Sequence, residues 1–400
     1  MGLRGLIAAA VTSLALGGTI AFAQAPVYGV DDAASRPTAG WMLTPSLGYA
    51  GAWDDNVLIR GAGDTLSGAF TDTITPRALL AYTSRRSEFL TSYEGVFNGY
   101  RDLNSLNSFD QRLNGSLRRA LTRRFTVFVR GSAASSPTTE LLELVAVPFV
   151  RLGSRLADLQ SGVEVAFTKR TSMTATYNVQ WIDFDRDPVV GLELLGGRAR
   201  GTSASIKHRL SQRIAVTGSY DMTQSTVIDN GHFDIQNADG GFEYEPSPEV
   251  RVFGALGFSR LNVNTFAAPR TGLSWRAGAV RRFRLGGAVD AAYSRAFVPS
   301  YSFGGTSQNE EFRSSLQLPF GRRFYTRSAF AWRRNEPLIV GGLRLKSTWI
   351  DGIVGYTVRP WMQIEGFYGG THQNIDRPGG ELNRNRAGFQ VITAKPVRIR

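Results

Sequence analysis

The stretch that decides the fold is MTATYNVQW, residues 173–181. Every odd-numbered residue in it is apolar, from Met173 to Trp181, and every even-numbered residue is polar, from Thr174 to Gln180. Successive side chains of a β-strand point to opposite faces of a sheet. The stretch therefore predicts a strand with one face suited to hydrocarbon and one suited to water.

The same alternation returns along the chain, for example in residues 214–222, 250–258 and 362–368. Strands of about ten residues with this pattern are typical of transmembrane β-barrels. A soluble β-propeller, the alternative, also repeats at a similar length. Its inner strands pack on both faces and would be apolar throughout, whereas here one face stays polar. The pattern therefore favours a barrel.

Short turns divide the chain into hairpins at intervals of 35 to 47 residues. Together with a first strand near residues 43–53 and a last strand near 385–393, they predict about 18 strands (16–18). The expected fold class is all-β: a transmembrane antiparallel β-barrel with short periplasmic turns and longer extracellular loops. The turns are residues 84–87, 121–124, 168–171, 210–213, 246–249, 281–284, 320–323 and 358–361, and the loops include 54–72, 137–156, 185–199, 298–308 and 375–382.

The N-terminus has the pattern of a secretory signal. Arg4 precedes the uncharged residues 6–16, and Ala21-Phe22-Ala23 matches the small-residue cleavage pattern, which predicts cleavage between Ala23 and Gln24. A single anchor helix is the alternative, but the apolar stretch is barely long enough to span a bilayer. We expect a signal peptide at 1–23, a short N-terminal extension at 24–40 and the barrel at 41–400.

The composition agrees with an exported envelope protein. Hydrophobic residues make up 42% of the 400 residues, yet the mean hydropathy is −0.16, so apolar and polar residues must be interleaved. The absence of cysteine excludes disulfides, thiolate metal sites, a cysteine nucleophile and a lipoprotein anchor. We expect localisation in the outer membrane of a Gram-negative bacterium.

A barrel of this size encloses an aqueous space, and alternation places charged side chains on its inner face. One interpretation is that opposite charges pair across strands and stiffen the wall. The other is that the basic excess, a formal net charge of +13, makes a pore favour anions. The basic candidates for the lumen are Arg77, Arg112, Arg130, Lys207, Arg209, Arg251, Arg276, Arg313, Arg327, Arg384 and Arg386; the acidic candidates are Glu94, Glu164, Asp221, Asp239, Glu243, Asp290, Asp351 and Glu365.

Signals for catalysis and metal binding are weak. The best histidine candidate, His232, shares residues 229–234 with aspartates, but such residues are also ordinary turn formers. The acidic segments 54–56 and 64–72 could hold calcium, yet they lack the EF-hand spacing and are typical of solvated loops. We predict no catalytic residue, no metal and no cofactor.

The loop at 137–156 is unusually apolar, with four leucines, three valines and a phenylalanine among residues 141–152. A loop of this kind will not lie freely in water. One hypothesis is that it folds into the lumen and narrows the pore. The alternative is that the flanking strands extend beyond the membrane and the loop caps them.

A family resemblance accompanies these patterns. The first strand runs into Trp53-Asp54-Asp55-Asn56-Val57, and Thr75-Pro76-Arg77 and residues 93–100 follow in the next strands. With these soft motifs the chain resembles the β-barrel porin 2 family of outer-membrane proteins. The resemblance implies a barrel over essentially the whole mature chain, and some barrels of this kind look associated with exopolysaccharide export. One departure is the tail at 395–400, which follows the strand that would normally end the chain.

The predicted function is a porin-like passive channel for small solutes, anionic or saccharide-like. The alternative is export or anchoring of an envelope exopolysaccharide, and a surface hydrolase or adhesin is the weakest hypothesis. Expected partners are outer-membrane lipid and lipopolysaccharide, the barrel-insertion machinery, periplasmic chaperones and small solutes. Nucleic acid is not expected, because the basic residues are dispersed at hairpin ends. The sequence leaves the oligomeric state open.

Overall fold

The computed structural model describes residues 39–61, 67–139, 147–185, 194–228, 231–263, 269–284, 286–301, 305–338, 342–376 and 380–399. The predicted signal peptide and nearly all of the predicted N-terminal extension lie outside these residues. The described residues contain no helix that is both long and apolar enough to cross a bilayer.

Antiparallel strands make up almost all of the described chain, and a short 3-10 helix, Asn104–Leu106, lies between two of them. The strands are β1 (Gly40–Asp54), β2 (Ala69–Thr83), β3 (Ser87–Tyr100), β4 (Ser108–Ala120), β5 (Phe125–Ser136), β6 (Ser154–Ala166), β7 (Thr171–Phe184), β8 (Gly197–Arg209), β9 (Ile214–Val227), β10 (Gly231–Ser247), β11 (Val250–Val263), β12 (Arg270–Phe283), β13 (Gly287–Ser300), β14 (Gly305–Phe320), β15 (Phe324–Pro337), β16 (Leu345–Arg359), β17 (Met362–Ile375), β18 (Glu381–Ala394) and the short β19 (Val397–Ile399).

The sheet closes on itself. Each long strand pairs with its neighbours in sequence, and β1 pairs with both β2 and β18. Closure leaves no sheet edge between the first and last strands, which is how a barrel satisfies its backbone groups without water. The predicted fold class, a closed antiparallel barrel of about 18 strands, is confirmed.

Side-chain hydroxyls shape several of the short turns. The hydroxyls of Thr122, Thr168 and Ser211 each accept hydrogen bonds from the backbone N–H groups two and three residues later, at 2.9–3.1 Å. Such bonds stabilise a tight reversal of the chain. Seven of the eight predicted turns join consecutive strands, and the eighth lies within three residues of such a junction. We call this side of the barrel the turn end and the opposite side the loop end.

One predicted turn is displaced. Residues 281–283 belong to β12, because they continue its ladder with β13 up to the pair Phe283 and Gly287. The reversal therefore lies three residues further on than the sequence predicts.

The C-terminal tail extends the last strand. Lys395 and Pro396 interrupt β18, but Val397–Ile399 then pairs with Trp41–Leu43 of β1. The register is the same as that of the β1–β18 ladder. The tail therefore completes the wall between the last and first strands at the turn end.

The two faces of the wall differ in polarity. Tyr49, Ile74, Phe97 and Phe109 are register partners across four consecutive strands, and all four are exposed. The row on the opposite face, one residue away, contains the register partners Thr73, Asn98 and Ser108. An apolar exposed face and a polar inner face match a wall with lipid outside and water inside.

Candidate functional site: the barrel interior

The pairing registers show where the charged lumen candidates lie. Counting in steps of two from the apolar row Tyr49–Ile74, each candidate lies on the opposite face, which is the inner one. These residues are Arg77, Arg112, Arg130, Lys207, Arg209, Arg251, Arg276, Arg313, Arg327, Arg384, Arg386, Glu94, Glu164, Asp221, Asp239, Glu243, Asp290, Asp351 and Glu365.

Glu365 on β17 is the centre of one inner-face group and is fully buried. Arg327 on β15 donates to it at 2.5 Å. The Tyr325 hydroxyl and the Gln390 amide donate to the same carboxylate. Because three donors from two other strands converge on it, this carboxylate links β15, β17 and β18.

Glu243 and Glu164 make similar links. Lys207 and Arg251 both bind the Glu243 carboxylate, at 2.5 and 3.1 Å, from β8 and β11. Arg118 on β4 binds both oxygens of Glu164 on β6, at 2.5 and 2.8 Å. The Glu243 group joins β8, β10 and β11, and the pair of Arg118 and Glu164 joins β4 and β6. These ion pairs therefore hold together strands that follow one another around the curved wall.

Two further groups lie closer to the loop end. Glu311 accepts from Arg333 at 2.9 Å and from Arg313 at 2.5 Å, and Arg333 is almost completely buried. Asp54 accepts from Arg384 Nε at 3.0 Å. Buried charges of this kind are costly to desolvate and stay ionised only when they are paired and hydrogen bonded.

Other inner-face charges contact neutral groups. The Ser274 hydroxyl donates to Asp239 at 2.7 Å, and the Ser315 hydroxyl donates to Asp290. The Arg130 guanidinium lies over the Phe128 ring, 5.3 Å from its centroid. The interior therefore offers charges of both signs, and the cross-strand pairs favour the wall-stiffening interpretation for many of them.

Residues 147–152, which we call the crossing segment, lie inside the loop end. The Phe149 N–H donates to the Gln373 side chain on β17 at 2.7 Å, and its ring meets Trp349 of β16 edge to face at 6.3 Å. Arg151 donates to the Leu106 carbonyl at 2.6 Å. The segment leads into β6 but contacts β16 and β17, so it crosses the interior. Residues 140–146 of the same loop lie outside the described residues.

A second insertion comes from the hairpin of β13 and β14. Its tip, residues 296–301 and 305–309, bends into the barrel and lies beside β9, β10 and β11. The Tyr301 hydroxyl donates to Gln180 on β7 at 3.2 Å, and burial raises the pKa of Tyr301. Gly305 has φ +83° and packs on the Phe233 ring, so glycine is needed there for both backbone and space. The alternating pattern does not predict this insertion, although Pro299 within β13 is a local signal of an irregular strand.

Together these insertions fill the loop end with an apolar core, which we call the loop-end cluster. It consists of Val147, Val150, Leu152, Ile182, Phe184, Leu194, Ala199, Val227, Phe233, Ile235, Leu261, Phe297, Tyr301, Leu345 and Ile375.

The residues considered for catalysis and metal binding form ordinary hydrogen bonds with neighbouring side chains. His232 hydrogen bonds to Thr226 at 2.8 Å, while Asp229 and Asn230 of the predicted loop lie outside the described residues. Asp72 accepts from Tyr49 at 2.6 Å and from Arg101 at 3.0 Å. Among the described residues, no cluster of histidine and carboxylate side chains has an arrangement suited to a metal ion.

No family model matches the chain, so the resemblance to the β-barrel porin 2 family stays a prediction. No curated protein matches it either. Among solved structures, the chain is similar to OpdO from Pseudomonas aeruginosa, with 12% identity over 90% of this chain and 98% of that one, at a TM-score of 0.45. OccAB4 from Acinetobacter baumannii has 7% identity over 90% and 99%, with a TM-score of 0.47. The siderophore receptor PirA from Pseudomonas aeruginosa has 8% identity over 90% and 81%, also at 0.47.

Proposed function

We propose that the chain is an outer-membrane barrel that acts as a porin-like passive channel for small hydrophilic solutes, anionic or saccharide-like. The observation that carries this proposal is the contrast between the two faces of the closed wall. Exposed apolar side chains cover the outside, and hydrogen-bonded charges line the inside. A barrel of this width holds an aqueous space unless something fills it.

The structure supports a narrow channel at the loop end. The crossing segment and the β13–β14 tip enter the interior there, whereas the inner face nearer the turn end is built from ion pairs. Charges of both signs along the wall provide donors and acceptors for sugar hydroxyls and for anionic groups. We infer that passage is limited by the loop end and that the charged wall below it selects the solute.

Electrical recording of the mature chain in planar bilayers tests this function. We expect a small conductance that increases when residues 138–153 are deleted, because the crossing segment is then removed. A reversal potential under a salt gradient should show a modest preference for anions. A substitution in an exposed turn, Arg284→Gln, is the control and should leave both values unchanged. A chain that conducts no ions before or after the deletion would exclude the channel, and strong cation selectivity would exclude the anion preference.

The proposed function also implies where the chain is located and how it is processed. We infer cleavage between Ala23 and Gln24, insertion into the outer membrane by the barrel-insertion machinery after escort by periplasmic chaperones, and contact with lipid and lipopolysaccharide. N-terminal sequencing of the protein from outer-membrane fractions tests the cleavage site. A mature chain that stayed folded and monodisperse in detergent-free buffer would contradict the membrane location.

A further inference from the structure

The turn end carries a repeated basic motif. Two adjacent basic residues come directly before the next strand in the turns with Arg85-Arg86, Arg123-Arg124, Lys169-Arg170 and Arg322-Arg323, and all of them are exposed. The first three of these turns are consecutive around the wall. The turn after them, between β8 and β9, keeps the exposed Arg213 at the second position. We call the four consecutive turns, residues 84–86, 121–124, 167–170 and 210–213, the basic arc.

The backbone places the second basic residue of each turn at an equivalent point of the rim. The Arg86 carbonyl accepts a hydrogen bond from the N–H of Ala120, the last residue of β4, at 2.8 Å. The carbonyls of Arg124, Arg170 and Arg213 accept in the same way from β6, β8 and β10, at 2.7–2.8 Å. Neighbouring turns are two strands apart, which is about 10 Å. The basic arc is therefore a row of exposed cationic residues at regular intervals along one side of the rim.

This row lies directly beyond the apolar outer face of the wall. By alternation, Leu121, Phe167 and Leu210 are the last outward-facing residues before their turns, and they are 45%, 50% and 55% exposed. The basic residues follow them in the chain within two or three positions. An outward apolar belt that gives way at once to arginine and lysine is typical of the level at which hydrocarbon meets lipid head groups.

A turn outside the arc shows that an arginine at this position can reach the outer face. The Arg323 guanidinium donates to the Tyr356 hydroxyl at 3.0 Å. The Tyr356 ring packs on Phe324, with 4.7 Å between the ring centroids, and Phe324 is an exposed residue of the outer face. The long side chain thus turns from the rim toward the outside, where a lipid head group lies within reach.

Other parts of the rim lack the motif. The turn between β10 and β11 has Pro248-Glu249, and the turn between β16 and β17 has Pro360-Trp361. Glu249 also neutralises a turn arginine, since Arg284 binds it at 2.7 Å. Within the described part of the chain, the basic side chains of the arc form no ion pair of this kind. The positive charge of the rim is therefore uneven, and in the arc it is not balanced by the protein itself.

We propose that the basic arc binds phospholipids with an anionic head group, of the phosphatidylglycerol type, in the periplasmic leaflet of the outer membrane. Guanidinium and ammonium groups bind phosphate through charge-assisted hydrogen bonds. A row at the edge of the apolar face suits several head groups side by side, whereas an acidic protein would need a surface that projects beyond the bilayer. The inference rests on the membrane location and on the periplasmic placement of the short turns in the proposed function. It does not depend on solute passage.

Photo-crosslinking of the mature chain in phosphatidylethanolamine nanodiscs tests the site. The probe is a small share of phosphatidylglycerol with a diazirine near the head of one acyl chain, and mass spectrometry locates the label. A basic side chain near an anionic lipid favours it about fivefold, so residues 121–125 and 167–171 should carry about fivefold more label than residues 246–250 and 359–362. Phosphatidylcholine with the same diazirine should label the four regions alike. Equal labelling of the four regions by the phosphatidylglycerol probe would overturn the proposal.

A charge variant assigns the preference to the basic residues. Arg123→Gln, Arg124→Gln, Lys169→Gln and Arg170→Gln together should remove the excess of phosphatidylglycerol label at these two turns and leave phosphatidylcholine label unchanged. Lysine in place of the three arginines keeps the charge and is the matched control, which should retain the excess. An excess that survives in the glutamine variant would contradict a role for these side chains.

Chemical modification of the unaltered chain gives a test that needs no variant. Phenylglyoxal attacks arginine from the water phase, so Arg123, Arg124 and Arg170 should react several-fold more slowly in phosphatidylglycerol vesicles than in phosphatidylcholine vesicles. Arg130 on the inner face should react equally in both. Equal reaction of the arc arginines would show that they project past the head groups, as a docking surface for an acidic periplasmic protein would, and would overturn the lipid assignment. A chain that conducts no ions but keeps the lipid preference would refute the channel alone.

Discussion

The two ends of the barrel interior are built differently. Near the turn end, the inner face consists of carboxylates such as Glu365 and Glu243, each bound by basic side chains from other strands. At the loop end, much of the inner face is apolar, for example Phe233 and Ile235 of β10, and inserted chain covers it. The wall near the turn end is thus supported by its own side chains, whereas the loop end depends on the crossing segment and the β13–β14 tip.

This difference shows that one alternating pattern can serve two purposes. Where the inner residues are charged, they form hydrogen-bonded ion pairs with one another and leave a water-filled space. Where they are apolar, they must be covered, because exposed apolar surface in water is unfavourable. The proposed solute pathway therefore runs along the charged part of the interior, and the apolar part at the loop end restricts it.

The largest expected effect comes from Glu365→Ala. The substitution leaves the half-buried Arg327 without its carboxylate and removes the acceptor of Tyr325 and Gln390. Breaking a buried pair in this way should lower the free energy of unfolding by about 3–5 kcal/mol. Urea unfolding in lipid vesicles, followed by tryptophan fluorescence, measures it. A loss no larger than that at an exposed pair would show that the inner charges do not support the wall.

The next effect concerns the loop end. Phe149→Ala removes the ring that packs on Trp349, and deletion of a buried aromatic ring costs about 3 kcal/mol or more. Because the crossing segment is not part of the wall, we expect this cost to loosen the segment and raise channel conductance while the midpoint of unfolding changes little. Single-channel recording measures the conductance of the variant, and a urea titration measures its unfolding midpoint, so the two effects can be separated. A lowered unfolding midpoint without a change in conductance would show instead that Phe149 stabilises the barrel wall.

Gly305→Ala should have a smaller effect on the same end of the barrel. A Cβ at φ +83° is strained and would also contact the Phe233 ring, which together should cost about 1–3 kcal/mol in the tip. We expect faster amide hydrogen exchange in residues 296–301 and 305–309. Gly240→Ala on β10 is the matched control, because a Cβ there meets no atom within 4 Å. Equal exchange rates in the Gly305→Ala and Gly240→Ala variants would contradict the close packing of Gly305 on the Phe233 ring.

The smallest effect is expected at the exposed pair of Glu249 and Arg284. The hydrogen bond from Arg284 to Glu249 at 2.7 Å raises the pKa of that guanidinium, but the pair lies in solvent at the turn end. Solvent screening makes such pairs weak, so Glu249→Gln should leave unfolding unchanged within error. A loss comparable to that of Glu365→Ala would remove the distinction between inner and outer ion pairs.

The sequence predicted much of this structure because the relevant signals are local. A tight turn is determined by a few adjacent residues, as at Thr122 and Thr168, so seven of the eight turns lie where the sequence predicts them. The inner face follows from counting in steps of two. The displaced turn after β12 shows the limit, because residues 281–283 suit both a strand and a turn, and only their pairing with β13 decides between the two.

By itself, the sequence determined that the chain forms a barrel, where its hairpins reverse and which charges share a face, since two-residue alternation reports which side of the wall a residue occupies. Only the tertiary structure decided what fills the interior. The contact between Tyr301 and Gln180, 121 residues apart, and the hydrogen bond from the Phe297 N–H to the Ser259 hydroxyl depend on chain segments meeting inside the barrel. No local pattern encodes such a meeting, because it depends on how the whole sheet curves and closes.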